Sequence, residues 1–311
     1  MYNVSVITPT FCGRERLRGV FTSLREQESR PVEWIIVLDG PDAQTTEIVK
    51  SFIDSSFPVY LYEIPHNHKK AAVNFGVKHA IGDWVLIADD DDLIPKTAIR
   101  DLLGAWNKLP KTEWDRFVGV TGLCDNGIGK LIGDEFPEDE FVSDAIETFF
   151  KYNILGEKWG MQRRDIMLRY PFFEDAEGLI GESTVWWEIA KSYKTLYINK
   201  VVRHYIIREG SLITSPHSKQ RIVSNCQALT YGYYYSSSNF CGKFVDKPKW
   251  FVGVTSFYVR YLLHCKFLGK TKAWMRFNPL SKNALLFLIG LPLGSVLFIS
   301  DLLRHQFRCD P

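Results

Sequence analysis

Short apolar runs rich in β-branched residues alternate with longer, helically patterned segments over the first third of the chain. The runs are Val4–Thr8, Trp34–Leu38, Val59–Glu63 and Trp84–Ala88. Between them lie helix-like stretches near Arg16–Gln27, Gln44–Ile53, Lys70–Ala80 and Lys96–Trp106. This alternation predicts βαβ units, and strands this uniformly apolar predict a parallel sheet covered on both faces. Ligands of such sheets bind beyond the carboxyl ends of the strands. Those ends are Pro9–Thr10, Asp39–Gly40 and Asp89–Asp92.

The middle of the chain is less regular. Phe117–Leu123 reads as a strand followed by an Asp125-Asn126-Gly127 turn. Ser143–Lys151 reads as a helix capped by Ser143, Glu182–Tyr193 as a helix and Thr195–Val202 as a strand. No internal repeat is visible. From about Phe244 aromatic residues mix with Lys and Arg, and Asn283–Ser300 then runs 18 residues without a charge. That length is marginal for a membrane span. Pro292, Gly290 and Gly294 favour a broken, re-entrant or interfacial element over a straight span. The expected organisation is an α/β domain over 1–240 and a helical, membrane-associating extension over 241–311.

Charge sharpens that division. The 311 residues carry a net charge of +2, which does not indicate a globally basic nucleic-acid binder, and 46% hydrophobic content excludes a disordered chain. Residues 241–311, however, hold 11 Lys/Arg against 3 Asp/Glu, so the tail is expected to face something anionic. Six cysteines without a CxxC pair argue against zinc and redox motifs and for reduced thiols in a cytosolic compartment. The N-terminus shows neither the charged nor the apolar segment of a secretory signal.

Four consecutive carboxylates, Asp89-Asp90-Asp91-Asp92, follow the WVLIA run. Such a run repels itself, and at a strand end it is suited to a hard divalent cation bridging to phosphate oxygens. Asp39 ends another strand, where a carboxylate can accept hydrogen bonds from a base or ribose. At Thr8-Pro9-Thr10 a strand turns toward a helix, and backbone N–H groups there can meet a nucleotide. Taken singly, each also has a plain structural explanation.

Together these blocks resemble the family 2 inverting glycosyltransferases of GT-A fold. The resemblance is carried by Ser5-Val6-Ile7-Thr8-Pro9-Thr10 and Glu33-Trp34-Ile35-Ile36-Val37-Leu38-Asp39-Gly40. It continues through Ala72, Asn74, Gly76, Ala80 and Gly82-Asp83 into Asp89-x-Asp91-Asp92 and Pro95. It implies a Rossmann-like, mostly parallel sheet flanked by helices, and a nucleoside-diphosphate sugar as donor, UDP-sugar favoured. By the same resemblance Thr8, Pro9 and Thr10 contact the nucleotide, Asp39 reads its base, and Asp90 and Arg208 belong to the donor site. Asp89, Asp91 and Asp92 would hold Mn2+ or Mg2+, with Asp91 the foremost direct ligand.

The sequence departs from the family pattern at Phe11-Cys12-Gly13, with Arg14 one place late, and at Pro41. The family's general base falls at Glu182, where Ser183 replaces a second carboxylate. Glu174, Asp175 and Glu177 compete for that role. His204 is a candidate third metal ligand, Lys69 and Lys70 are candidate phosphate contacts, and Trp159, Trp186 and Trp187 are candidate sugar-stacking rings. The resemblance and the tail together imply transfer to a glycan or lipid-linked glycan at the cytoplasmic face of the membrane, with no nucleic-acid partner. The rival readings are a sugar-1-phosphate nucleotidyltransferase, which would need a basic Gly-rich loop after the first strand, and a catalytically silent scaffold. A dinucleotide oxidoreductase would need GxGxxG after that strand, and it is absent.

Overall fold

The alternation seen in the sequence is the alternation of the fold. A computed structural model describes residues 3–31, 33–53, 57–206, 219–243, 245–275 and 282–305. Its first half runs β1 (Val4–Thr10), α1 (Arg16–Arg25), β2 (Glu33–Asp39), α2 (Ala43–Lys50), β3 (Val59–Ile64), α3 (His68–His79), β4 (Trp84–Ile87) and α4 (Ala98–Lys108). Then come β5 (Phe117–Asp125), β6 (Glu140–Ser143), α5 (Ala145–Phe150), β7 (Lys158–Arg163), α6 (Arg164–Arg169), α7 (Ser183–Ala190) and β8 (Lys194–His204).

The eight strands form one sheet of order β3-β2-β1-β4-β7-β5-β8-β6. The pairs β3-β2, β2-β1, β1-β4 and β5-β8 are parallel, while β7 and β6 pair antiparallel. Side chains alternate between two buried layers, as strand geometry requires. Val6, Trp34, Ile36, Trp84 and Leu86 pack under α1 and α4, against Leu17, Val20, Leu102 and Trp106. Ile7, Ile35, Val37, Val85 and Ile87 pack under α3, α6 and α7, against Ala72, Val73, Val77, Ile166, Met167 and Ile189. β3 departs from the expectation of burial on both faces, because it is the sheet's edge and leaves Tyr60 exposed.

Two strands, β6 and β7, escape the sequence pattern. β7 is only KWGMQR, and it pairs because Gly119 on β5 and Gly160 on β7 let the strands close. A Cβ at Gly160 would lie 2.1 Å from the Val120 carbonyl oxygen, and one at Gly119 2.0 Å from that of Met161. The cap of α5 also differs from expectation. Ser143 ends β6, and the capping residue is Asp144, whose carboxylate accepts from the N–H groups of Ile146 and Glu147 at 2.9 and 2.8 Å.

The chain divides into two compact units, one of residues 1–172 and 185–207, the other of residues 173–184 and 208–311. The second contains α8 (Lys219–Asn239), α9 (Pro248–Phe267) and α10 (Lys282–His305). Segment 173–184 is bound into it. Phe173 stacks on Tyr231 at 4.2 Å, and the Leu179 N–H donates to Asn225 Oδ1 at 2.7 Å. α10 runs unbroken through Pro292, so the interruption expected there does not occur.

Candidate active site

The site is built at the carboxyl ends of β2, β1 and β4. The chain steps outward from β1 to β2 to β3, then returns through α3 to place β4 on the other side of β1. That reversal opens a crevice beyond the strand ends, where open α/β sheets bind ligands.

Thr8 and Thr10 are buried at the end of β1. Thr8 accepts the Trp34 indole N–H at 2.9 Å, so its hydroxyl serves the core. Thr10 donates to Asp90 Oδ2 at 2.6 Å, and Arg16 donates to the same oxygen at 2.9 Å. Asp90 therefore fastens the β1–α1 loop to the end of β4. The loop lies this close because residue 13 is glycine: a Cβ there would sit 2.1 Å from Thr10 Oγ1. Cys12 and Arg14 on either side take positive φ, 54° and 46°.

Asp39, buried at the end of β2, is clasped by the next loop. Its Oδ1 accepts the Asn67 N–H at 2.7 Å, and its Oδ2 lies 2.8 Å from His66 Nδ1. The His66 ring meets exposed Phe11 at 4.9 Å, which puts two aromatic rings at the mouth beside Asp39.

The four aspartates have four different environments. Asp89 pairs with Lys69 and lies 3.7 Å from the Arg203 guanidinium. Burial raises its pKa, but those two cations outweigh it and hold the carboxyl below its ordinary range. Asp90 is raised by burial, against the pull of Thr10 and Arg16. Asp92 is almost fully buried, its Oδ1 taken by Arg203 Nε at 2.7 Å and its Oδ2 by the Asp89 N–H at 2.8 Å. Burial pushes it up to about 7 even beside Arg203. Asp91 is half-buried and, among the described residues, engages no hydrogen-bond or ion-pair partner. Of the run, it is the carboxylate left uncommitted among the described residues.

Hard carboxylate oxygens from Asp91 and Asp89 suit Mg2+ or Mn2+, which keep most of their coordination for water and substrate phosphate. Asp92 differs from the expected ligand set in having both oxygens already engaged. No group of three or more His, Cys, Asp and Glu side chains is gathered as a cage among the described residues. His204 places Nδ1 2.5 Å from Asp125 Oδ1, which leaves Nε2 as its one possible ligand atom.

Residues 5–129 match the family model described as glycosyl transferase family 2. The chain carries a family 2 glycosyltransferase domain. Over 227 residues it is 26% identical to the GalNAc(5)-diNAcBac-PP-undecaprenol beta-1,3-glucosyltransferase of Campylobacter jejuni, covering 70% of this chain and 69% of the relative. Its fold is similar to that of S. aureus TarS 1–349 in complex with UDP-GlcNAc, with TM-score 0.58 and 15% identity over 98% of this chain and 93% of that one. It is also similar to the mannosyltransferase PcManGT of Pyrobaculum calidifontis in complex with GDP-Man and Mn2+, with TM-score 0.57 and 16% identity over 98% and 87% of the two chains. The α/β sheet is thus of GT-A type, and the protein is an enzyme of glycosyltransferase class.

The remaining candidate residues of this glycosyltransferase lie apart from the strand ends in sequence. Glu182 stands half-buried in the turn just before α7, within the second unit. Of the other acidic residues named for that role, Glu177 pairs with Lys270 at 3.0 Å and Asp175 with Lys272 at 3.6 Å. Arg208 lies outside the described residues. Trp159 is a core residue, its indole N–H donating to the Ile87 carbonyl at 2.6 Å. Trp186 packs on the α3–α7 side of the sheet, and Trp187 meets Phe149 and Phe150. Sequence reasoning missed His66, Arg16 and Arg203. Only His66 had a local signal, as a ring-bearing residue just after a strand.

Proposed function

We propose that this glycosyltransferase moves a sugar from a nucleoside-diphosphate sugar, UDP-sugar favoured, to a hydroxyl of a glycan or lipid-linked glycan in cell-surface polysaccharide synthesis. The observation that carries the reading is Asp91, a carboxylate uncommitted among the described residues at the end of β4, in the same row of strand ends as Asp39 and Thr10. The undecaprenol-linked acceptor named for the Campylobacter jejuni relative supports a lipid-linked acceptor and a cytoplasmic membrane surface as the place of work.

Phe11 and His66 offer ring faces to the base, while Asp39 holds His66 and the Asn67 N–H in place. Thr8, Pro9 and Thr10 shape the strand end beneath the nucleotide, and Asp90 keeps the β1–α1 loop against it. Asp91 and Asp89 would hold Mn2+ or Mg2+. When bound, that ion supplies positive charge against the departing diphosphate. Lys69 faces Asp89 and can exchange that partner for a phosphate oxygen. Glu182 takes the proton from the acceptor hydroxyl as that oxygen forms its bond to the anomeric carbon. The bond to the diphosphate oxygen breaks on the opposite face and its electron pair leaves with the diphosphate. A single displacement inverts the centre.

Calorimetric titration of UDP and GDP, with Mn2+ and with EDTA, tests the donor site. Metal-supported UDP binding that Asp91→Asn abolishes is expected. Preference for GDP would overturn the uracil reading while keeping the site. Failure of either nucleotide to bind with metal would remove the assignment of Asp89 and Asp91. Glu182→Gln should abolish transfer and leave nucleotide binding intact.

A further inference from the structure

α10 has two unlike faces. Its inner face is pressed onto α9. A Cβ at Gly290 would lie 2.3 Å from the Thr255 carbonyl oxygen, and one at Gly294 2.6 Å from that of Ser256. Further along, Asp301 is buried against Arg260 at 2.6 Å and His264 at 2.9 Å. Contact positions rise together on the two helices, from Thr255–Gly290 to His264–Asp301, so α9 and α10 run parallel.

The outer face carries Leu285, Leu288, Pro292, Val296, Ile299 and Leu303, all exposed. At 100° per residue these fall on one narrow stripe, opposite Gly290, Gly294 and Asp301. The stripe is about 27 Å long at the helical rise and carries no polar side chain. Segment Phe287–Arg304 is long and apolar enough to cross a membrane by length and composition. Its inner face nevertheless holds a carboxylate bonded to Arg260 and His264, and α9 and α8 lie beside it with buried Ser, Thr, Asn and Gln. A helix apolar on one open side and ion-paired on the other suits an interface rather than a span.

We infer that the outer stripe of α10 lies in the plane of an anionic bilayer, with α9 as its backing. The apolar stripe would sink roughly 5–10 Å to the acyl boundary. Charge selects this occupant over a second copy of the chain. Lys266 and Arg304 are exposed at the shared end of the two parallel helices, and the Lys/Arg of residues 241–311 stay in excess after Lys243, Arg260, Lys270 and Lys272 are set against Asp246, Asp301, Glu177 and Asp175. Two such surfaces would repel each other, whereas anionic headgroups would draw them in. The inference rests on the proposed membrane placement and gives it a surface and an orientation.

Flotation of the full chain with vesicles tests it. Binding to phosphatidylcholine vesicles containing phosphatidylglycerol, weakened by salt and by omitting phosphatidylglycerol, is expected. The double variant L288D/V296D should bind roughly tenfold more weakly or worse, with metal-supported UDP binding unchanged. Undiminished vesicle binding by that variant would overturn the assignment of α10 and leave the membrane placement standing. Failure of the wild-type chain to bind vesicles would overturn both, and a dimer dissolved by L288D/V296D would identify a second copy as the occupant. Bimane on Leu288→Cys and on Leu303→Cys, in a C12S/C241S/C309S background, should be quenched by brominated lipid at equal depth. Clearly unequal depths would mean a spanning helix and overturn the in-plane orientation. UDP titration of the same samples keeps a failed donor site distinguishable from failed membrane binding.

Discussion

Arg203 on β8 and Asp92 after β4 meet at 2.7 Å, both nearly excluded from solvent. The same guanidinium reaches Asp89, 3.7 Å away. One internal cation therefore offsets two members of the acidic run and fixes the loop that ends in Asp92. Arg203→Ala would leave Asp92 buried without its partner. The expected loss is about 3–5 kcal/mol in urea denaturation. Metal-supported nucleotide binding should weaken as well, because Asp89 loses a positioning charge. Unchanged stability in Arg203→Ala would show that the pair does not organise the loop.

Gly13 is expected to be intolerant for a steric reason. A methyl group there meets Thr10 Oγ1 at 2.1 Å and Asp90 Oδ2 at 2.9 Å, so the Thr10–Asp90 bond must open. Gly13→Ala should cost about 1–3 kcal/mol and weaken UDP binding. Gly104, exposed in α4 with nothing within 4 Å of its would-be Cβ, is the control. Gly104→Ala should stabilise by about 0.5–1 kcal/mol through helix propensity alone. Opposite signs for the two substitutions, read by thermal unfolding, are the diagnostic outcome.

The contrast between these sites shows what a sequence makes legible. β1, β2 and β4 are read directly because burial on both faces forces continuous apolar runs, and the chemistry follows from their ends. β7 is invisible because a glycine-mediated approach, not a β-branched run, lets it pair. Thr10, Asp39 and Asp89–Asp92 are local to strand ends and so are found. The partners that set their charge are not, since Arg203 meets Asp92 across 111 residues and Arg16 meets Asp90 across 74. Asp144 displaces Ser143 as the helix cap because the strand β6 takes Ser143 first.

Asp125 and His204 should give the stability a measurable acid limb. Burial raises the Asp125 pKa, but the His204 hydrogen bond and the Gly127 N–H outweigh it, so the carboxyl is held below its usual 3.8. A depressed native pKa means the unfolded chain takes up the proton first. The stabilisation is then complete above the ordinary carboxylate range and is lost as pH falls through the lowered native value. Asp125→Asn should therefore be less stable than wild type at pH 6, with the gap closing toward pH 3. A gap that stays constant across that range would show that the carboxylate charge contributes nothing there.

Arg260 and Asp301 offer the same physics in the second unit with a different readout. Both oxygens of Asp301 are engaged, Oδ1 by Arg260 at 2.6 Å and Oδ2 by Arg260 Nε at 2.7 Å and by His264 at 2.9 Å. This bond joins α9 to the last turns of α10. Arg260→Met alone strands a buried carboxylate and should destabilise by about 3–5 kcal/mol, whereas R260M/D301M removes both charges and should recover most of that loss. Hydrogen exchange localises the effect. Amides of α9 and α10 should lose protection in Arg260→Met and regain it in the double variant, while amides of β1, β2 and β4 stay protected throughout. Loss of protection confined to the central sheet would contradict the role of this pair as the tie between the two helices.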